Sequence, residues 1–424
     1  MLQNHYNYVL LGGGLTSSSA ADAIRQRDPA GSILLVGQEV NRPYHRPRLN
    51  TQYLKGERQR SQIVVEPPGW FDDRHIELTT GRRASNLDTA RRAVTLDSGE
   101  EIAFDKLLIA TGASARRLTI PGANLPNVFT LRTLDDADRL HNAVEKALRE
   151  GLRHEHGRGV VAIIGGGLLG VELAATMRQL GLSVELIIDG AHPWRKFAGP
   201  NTGSVVAHCL EKNDVVLHSG ARPVRLDGDG RVQRVELVDG KIVACDFAVA
   251  AIGISPNKDI LHGTPITAEN AILVNEHCQT NISDIYSAGD CAAIFDPLFG
   301  KHRLIDHWNN ARLTGAIAGA NMAGDEARYD AVNSFGTQVF DLELRCYGEA
   351  RLVDRRHVRG NPNVESPDFL EIGVAADGRI AQILAVDHRG EEADIEALVK
   401  QRVRIEGNEE AIKDPARPLQ EFLR

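Results

Sequence analysis

Two stretches of this chain carry almost no side chain where an apolar run ends. Residues 8–24 read YVLLGGGLTSSSAADAI, and residues 161–177 read VAIIGGGLLGVELAATM. A strand that runs through glycines into a helix leaves bare N–H groups at the helix N-terminus, where donors and dipole together hold an anion. In such a turn the first glycine makes the tight bend. The second leaves room for a pyrophosphate, and the third lets helix and strand pack closely. The second copy has all three, Gly165, Gly167 and Gly170, with Leu168 and Leu169 between them. The first has Gly12 and Gly14, with Ser17 in the third place, small enough for looser packing. Each copy leads to a second strand ending near an acid, Glu39 (after Gln38) in one and Asp189 in the other. Asp189 lies at about the 20-residue distance from which a carboxylate reaches a ribose hydroxyl. A glycine pattern alone is weak evidence, but a strand before and a helix after both copies is the required context. The sequence predicts two dinucleotide sites.

The elements that must hold these turns are legible. Strand 7–11, helix 14–27, the turn DPAG and strand 32–37 form a βαβ start to a parallel sheet. A β-rich stretch follows, with a hairpin at DSGE (97–100) and a strand over 105–112. TIPGANLPN is a linker-type loop. A helix over 134–149 is capped by Thr133, with Asp136 as its third residue. The pattern then restarts: a strand from 159, a helix over 168–181, a strand over 183–188 and a second β-rich stretch through 215–252. From about 331 the text turns to short strands and one late helix near 391–403.

Bulk properties narrow the function. A chain of 424 residues suits two or three domains, and 42% hydrophobic with 25% charged residues suits a globular protein. A net charge of −8 argues against a nucleic-acid surface. No apolar run reaches the roughly 18 residues that span a bilayer. The apolar run near the N-terminus lacks a basic flank and reads as a strand rather than a signal peptide. Cys209, Cys245, Cys278, Cys291 and Cys346 are far apart, with no CxxC spacing. That argues against a metal site, a dithiol centre and a disulfide framework, and for reduced cysteines in a cytoplasmic protein.

The combination resembles the FAD-dependent pyridine nucleotide oxidoreductases. LLIATGASARRL (107–118), AVAAIGISPN (248–257) and TNISDIYSAGDCA (280–292) resemble that family's further motifs in order. RPYHRPRLN (42–50) and DHWNNARLTGAIAGANMAG (306–324) resemble segments of its ferredoxin-reductase and apoptosis-inducing-factor branch. The resemblance implies an α/β chain of two Rossmann-like domains, the NAD domain inserted in the FAD domain, plus an α+β C-terminal domain. The implied boundaries are 1–118 with 246–330 for FAD, 119–245 for NAD(P)H and 331–424 for the last. It also implies that FAD contacts Gly12, Gly14, Ser17, Gln38, Glu39, Arg46, Ala84, Ala110, Thr111, Gly112, Arg116, Gly289, Asp290, Asp306, His307 and Trp308. Asp290 takes the ribitol. NAD falls to Gly165, Gly167, Leu168, Leu169, Gly170, Glu172, Asp189 and Gly253, with Glu172 near the nicotinamide.

The chain departs from the branch at three positions. Thr51 stands where a lysine beside the flavin edge is usual, Arg48 replaces a proline, and Gly336 in SFGTQVFD replaces a tryptophan. Arg48, Thr51 and Glu172 are therefore the flavin-edge candidates. With no cysteine pair near the first glycine turn, electrons are expected to leave the flavin directly. The expected reaction is hydride transfer from NADH to flavin N5, then delivery to an external acceptor. Asp189 favours NADH over NADPH, although Arg195 and Lys196 follow it closely. The resemblance implies a ferredoxin- or rubredoxin-like acceptor, with Arg351, Arg355, Arg356 and Arg359 as either a docking patch or a solvated basic loop. A small-molecule acceptor, as in an NADH oxidase or quinone-type reductase, and a flavin redox sensor like apoptosis-inducing factor are the alternatives.

Overall fold

The structure, a computed structural model, describes residues 2–150 and 158–423 and divides into two compact units. The first comprises Met1–Pro47, Gln59–Ser114 and Ile254–Ala331. The second comprises Arg48–Arg58, Ala115–Gly253 and Val332–Arg424, so the C-terminal strands fold with the middle of the chain.

In the first unit the strands Ile76–Thr80, Ile33–Gly37, His5–Leu11 and Glu101–Ile109 lie side by side and parallel. The second half of Glu101–Ile109 also pairs in parallel with Ile285–Ser287, and its first half pairs antiparallel with the hairpin strand Ala93–Leu96. The apolar runs VLL, ILLV and LLI are buried on both sheet faces, as central parallel strands require. Helix Leu15–Arg27 lies against helix Trp308–Met322 in the same unit. A Cβ on Gly315 would strike the Thr16 carbonyl oxygen, and one on Gly319 the Ala20 carbonyl oxygen. The small residues of TSSSAA thus have a second reason to be small: another helix crosses them at backbone distance.

The second unit repeats the theme. Val215–His218, Ser183–Ile187, Val160–Ile164, Phe247–Ala250 and Val128–Phe129 form a five-stranded parallel sheet. Helix Leu134–Glu150 opens as its sequence predicts. The Thr133 hydroxyl accepts from Asp136 N at 3.1 Å, and the Asp136 carboxylate accepts from Thr133 N at 3.0 Å. Helix Pro200–Lys212 is an addition to the expected elements, with a proline in its first turn. Its cap is remote: buried Glu371 accepts from Gly199 N at 2.6 Å and from Thr202 Oγ1 at 3.1 Å.

The C-terminal segment corrects one expectation. Its strands are not short but run six to nine residues: Ser334–Val339, Leu342–Gly348, Ile380–Val386, Asp368–Ala375 and Val353–Asn361, in that order across an antiparallel sheet. Glycines and arginines inside them mask the alternation. The late helix is Glu392–Lys400, closed where Arg402 adopts a φ of 46°, and it is not alone: a short helix, Glu409–Lys413, follows it.

Candidate functional site

The two glycine turns have the same local construction. In the first unit Gly12 N donates to Val36 O, and Ala110 N donates to Leu11 O, both at 2.8 Å. In the second unit Gly165 N donates to Ile187 O, and Ala251 N to Ile164 O, again at 2.8 Å. Gly12 and Gly165 take positive φ (138° and 124°), and a Cβ on either would strike the carbonyl oxygen of Ala110 or Ala251. Only glycine fits where a second strand end presses on the turn. Gly14 and Gly167 are the N-caps of their helices, with no side-chain cap, and a Cβ on either meets nothing within 4 Å. Each turn therefore presents uncapped helix N–H groups to open space, a cradle that fits a pyrophosphate. The third position differs. A Cβ on Gly170 would strike the Gly165 carbonyl oxygen, whereas fully buried Ser17 is accommodated in the first copy.

In the first unit several of the remaining candidates lie at the carboxyl ends of neighbouring parallel strands, where open α/β sheets bind ligands, whereas Ala84 opens the antiparallel strand Ala84–Asp88. Gly12, Ala110 and Ala288 follow the mutually paired strands His5–Leu11, Glu101–Ile109 and Ile285–Ser287. Gly289 and Asp290 sit in a one-turn helix after the last of these, and Gly289 N donates to Thr314 Oγ1 at 3.1 Å. Thr111 and Gly112 are tied to Asn257: Thr111 Oγ1 donates to Asn257 O at 2.6 Å, and Asn257 N to Gly112 O at 2.9 Å. Glu39 accepts from Arg46 Nη2 and from Tyr44 Oη, each at 2.6 Å. Burial works against the Arg46 charge, but Tyr44, Glu39 and Asp290 outweigh it and hold its pKa above the ordinary arginine value. Gln38 is exposed, and Ala84 is packed at the edge of the core.

His307 precedes helix Trp308–Met322 as its N-cap, with Asp306 exposed before it. The Trp308 ring lies 5.7 Å from His45, with the Arg312 guanidinium 5.7 Å over its face. Its buried Nε1–H finds no acceptor among the described residues.

In the second unit Glu172, near the start of helix Leu168–Gln179, is held from two sides. Asn50 Nδ2 donates to Glu172 Oε2 at 2.7 Å, and Thr337 Oγ1 donates to Glu172 Oε1 at 2.6 Å. Burial raises the Glu172 pKa, and the two donors only partly offset it. Asn50 lies in the turn Leu49–Tyr53, which also contains Thr51 and follows Arg48; its own carbonyl accepts from Thr176 Oγ1 at 2.8 Å. Sequence reasoning named neither Asn50 nor Thr337. Their signal was present but faint: Asn50 ends the RPYHRPRLN segment, and Thr337 adjoins Gly336. Asp189 is exposed after strand Ser183–Ile187 and pairs with Arg195 at 3.3 Å. Gly253 (φ 103°) accepts from Arg116 N at 2.9 Å, and the Arg116 side chain is exposed.

The arginine cluster does not form one surface. Arg359 is buried and donates to the carbonyls of Ile412 and Arg417, and Arg356 is paired with buried Glu371 at 3.0 Å. These two arginines serve the fold. Arg351 and Arg355 remain exposed, next to Glu349 and Glu409. All five cysteines are free. Burial pushes the Cys209 thiol up to about 11 and Cys245 to about 12, and it raises Cys278 and Cys291 as well. Such thiols are poor nucleophiles. Among the described residues no metal-binding cluster occurs, and no helix is long and apolar enough to cross a membrane.

The profile of the family described as pyridine nucleotide-disulphide oxidoreductase matches residues 6–315. The chain belongs to that family. Within it the chain lies in the ferredoxin-reductase branch. It is similar to the 5,5'-dehydrodivanillate O-demethylase ferredoxin reductase subunit of a Sphingobium species, with 31% identity over 99% of this chain and 98% of that one. It is also similar to the ferredoxin–NAD(+) reductase component of the biphenyl dioxygenase system of Paraburkholderia xenovorans, 30% identical over 98% of each chain. Among solved structures, a ferredoxin reductase from Rhodopseudomonas palustris superposes with a TM-score of 0.89 at 27% identity, covering 99% of this chain and 100% of that one. Putidaredoxin reductase in its covalent complex with putidaredoxin also superposes at 0.89, with 25% identity and coverage of 99% and 98%. This pyridine nucleotide oxidoreductase is thus an FAD-dependent enzyme that uses NAD(P)H, with two Rossmann-like dinucleotide-binding domains and an α+β C-terminal domain. The two uncapped glycine cradles fit two pyrophosphates.

Proposed function

We propose that this flavoprotein is the reductase component of a short electron-transfer chain, taking electrons from NADH and passing them to a small iron–sulfur protein of the ferredoxin class. The observation that carries this reading is full-length similarity to ferredoxin reductase components in a chain whose five cysteines are free and separated in sequence, with Cys209, Cys245, Cys278 and Cys291 held as thiols by burial. A thiol relay has no partner to use here, so electrons pass directly from the flavin to an outside acceptor. Bound FAD supplies hydride acceptance from the coenzyme and one-electron release to the acceptor.

The protein's part is position and electrostatics. The Gly12–Gly14 cradle holds the FAD pyrophosphate, Glu39 accepts from its adenosine ribose, and Asp290 accepts from the ribitol. Arg46 keeps Glu39 oriented. Ala84, Ala110, Thr111, Gly112 and Gly289 line the flavin path, and His307 and Trp308 lie by its ring. The Gly165–Gly167–Gly170 cradle holds the coenzyme pyrophosphate, with Gly253 beside it. Asp189 accepts from the adenosine ribose hydroxyls and repels a 2′-phosphate. Its pair with Arg195 is exposed on both sides, a kind of ion pair worth little. Free cysteines, four of them buried, suit a cytoplasmic location.

The test is anaerobic mixing of the FAD-loaded protein with NADH and, separately, NADPH, followed by a ferredoxin. Rapid bleaching of the flavin band by NADH, reversed by the ferredoxin, is the expected result. Re-oxidation by oxygen or a quinone but not by any ferredoxin would replace this reading with a small-molecule acceptor. Slow bleaching with a persistent long-wavelength band would favour a redox sensor.

A further inference from the structure

Glu172 is a largely buried carboxyl on the helix that carries the second glycine turn. Both of its hydrogen bonds come from neutral side-chain donors, one to each oxygen. Three separate stretches meet at this carboxyl: the Leu49–Tyr53 turn, helix Leu168–Gln179 and strand Ser334–Val339. Asn50 is 3% exposed and Thr337 9%, so the contact is largely closed to water. The titratable groups on elements packed against this helix are engaged elsewhere. Tyr53 donates to Asp138 at 2.6 Å, and Glu185 holds His218 at 2.6 Å. Arg178, at the helix's far end, pairs with Asp214 at 2.7 Å. Arg48 and Lys55 flank the turn, and Lys55 lies 3.3 Å from Glu57.

The two donors are not equivalent. An amide nitrogen can only donate, so Oε2, facing Asn50, must remain an acceptor. A hydroxyl can donate or accept, so Oε1, facing Thr337, is the oxygen that can carry a proton without losing its contact. The arrangement accepts both charge states of Glu172 in one geometry.

We propose that the charge of Glu172 makes binding of the oxidised coenzyme depend on pH, and that Thr337 is a positioning residue whose hydroxyl fixes the carboxyl and the place of its proton. This rests on the reading of the Gly165–Gly170 cradle as the coenzyme site. The physical basis is simple. The nicotinamide ring is cationic in NAD⁺ and neutral in NADH, so an ionised Glu172 near that ring favours the oxidised form and a neutral one does not. Strand Ser334–Val339 of the C-terminal sheet thereby tunes a helix that binds the coenzyme.

The experiment is calorimetric titration of the FAD-loaded protein with NAD⁺ over a series of pH values rising from the ordinary carboxylate range, since burial raises the Glu172 pKa. The wild type should bind several-fold more tightly above the step than below it, and Glu172→Gln should show no step. Thr337→Val should move the step upward by about one pH unit, because a donor to the charged form is lost, and Thr337→Ser should restore it. An infrared difference spectrum of wild type minus Glu172→Gln, taken without coenzyme, should show a protonated-carboxyl band that fades over the same pH range. Identical pH profiles for wild type and Glu172→Gln would overturn the proposal, as would a step that Thr337→Val leaves in place. If Thr337→Val fails to fold, the wild-type and Glu172→Gln comparison still decides. No NAD⁺ binding at any pH would instead sink the coenzyme-site reading itself.

Discussion

Replacing Gly170 by serine imitates the first glycine turn in the second. The new Cβ would overlap the Gly165 carbonyl oxygen and lie 3.0 Å from its carbon and 3.5 Å from Ala251 Cβ. Restoring ordinary contact, about 3.5 Å between carbons, requires the helix start to back away by about 0.5 Å, and clearing the carbonyl oxygen requires more. Overpacking of this kind costs about 1–3 kcal/mol. The displaced N–H groups are those that hold the coenzyme pyrophosphate, so NADH affinity should fall by about 5- to 150-fold. The FAD cradle is a separate copy built on Gly12 and should keep its flavin. Calorimetric titration with coenzyme gives the first quantity, and the flavin-to-protein absorbance ratio gives the second. The mirror variant, Ser17→Gly, should leave coenzyme affinity unchanged. A Gly170→Ser protein that binds coenzyme like the wild type, or that loses FAD while keeping coenzyme, would refute this account of the third position.

The other expectations are briefer. Gly315→Val should force helix Trp308–Met322 off helix Leu15–Arg27, lowering FAD retention and the melting temperature by several degrees; unchanged retention would mean the crossing is not tight. Glu371→Ala leaves Gly199 N–H, Thr202 and Arg356 without their shared acceptor and should cost about 3–5 kcal/mol, read by thermal unfolding. Amide exchange at residues 199–203 should also quicken, and wild-type protection there would contradict the remote cap. The Glu172 pKa is raised, so the folded state binds the proton more tightly than the unfolded chain does. Stability from this group is present at low pH and is lost as pH rises through the folded pKa. Glu172→Gln should therefore melt higher than wild type at alkaline pH, with the difference vanishing in acid; a gap independent of pH would contradict the sign. Arg351→Glu with Arg355→Glu should slow reduction of an acidic acceptor and weaken its salt dependence, as measured by stopped-flow at two ionic strengths.

What could be read in advance follows from how local each signal is. The Thr133–Asp136 cap needs only residues three apart, and it forms as the sequence predicts. The cap of helix Pro200–Lys212 could not be foreseen, because its acceptor, Glu371, lies 172 residues from Gly199. Arginines 351, 355, 356 and 359 look alike in sequence, yet burial and partners divide them. Two bind within the fold and two face water.

By itself, the amino-acid sequence determined the two strand–glycine–helix turns, their order, and the family that reuses them. Those features depend on short-range backbone demands: a positive φ at Gly12 and Gly165, and room beside Gly14 and Gly167. Only the tertiary structure decided which neutral side chains grip Glu172, and why TSSSAA had to stay small beneath a second helix. Those features depend on atoms brought together across more than 120 residues, and no local pattern records such contacts.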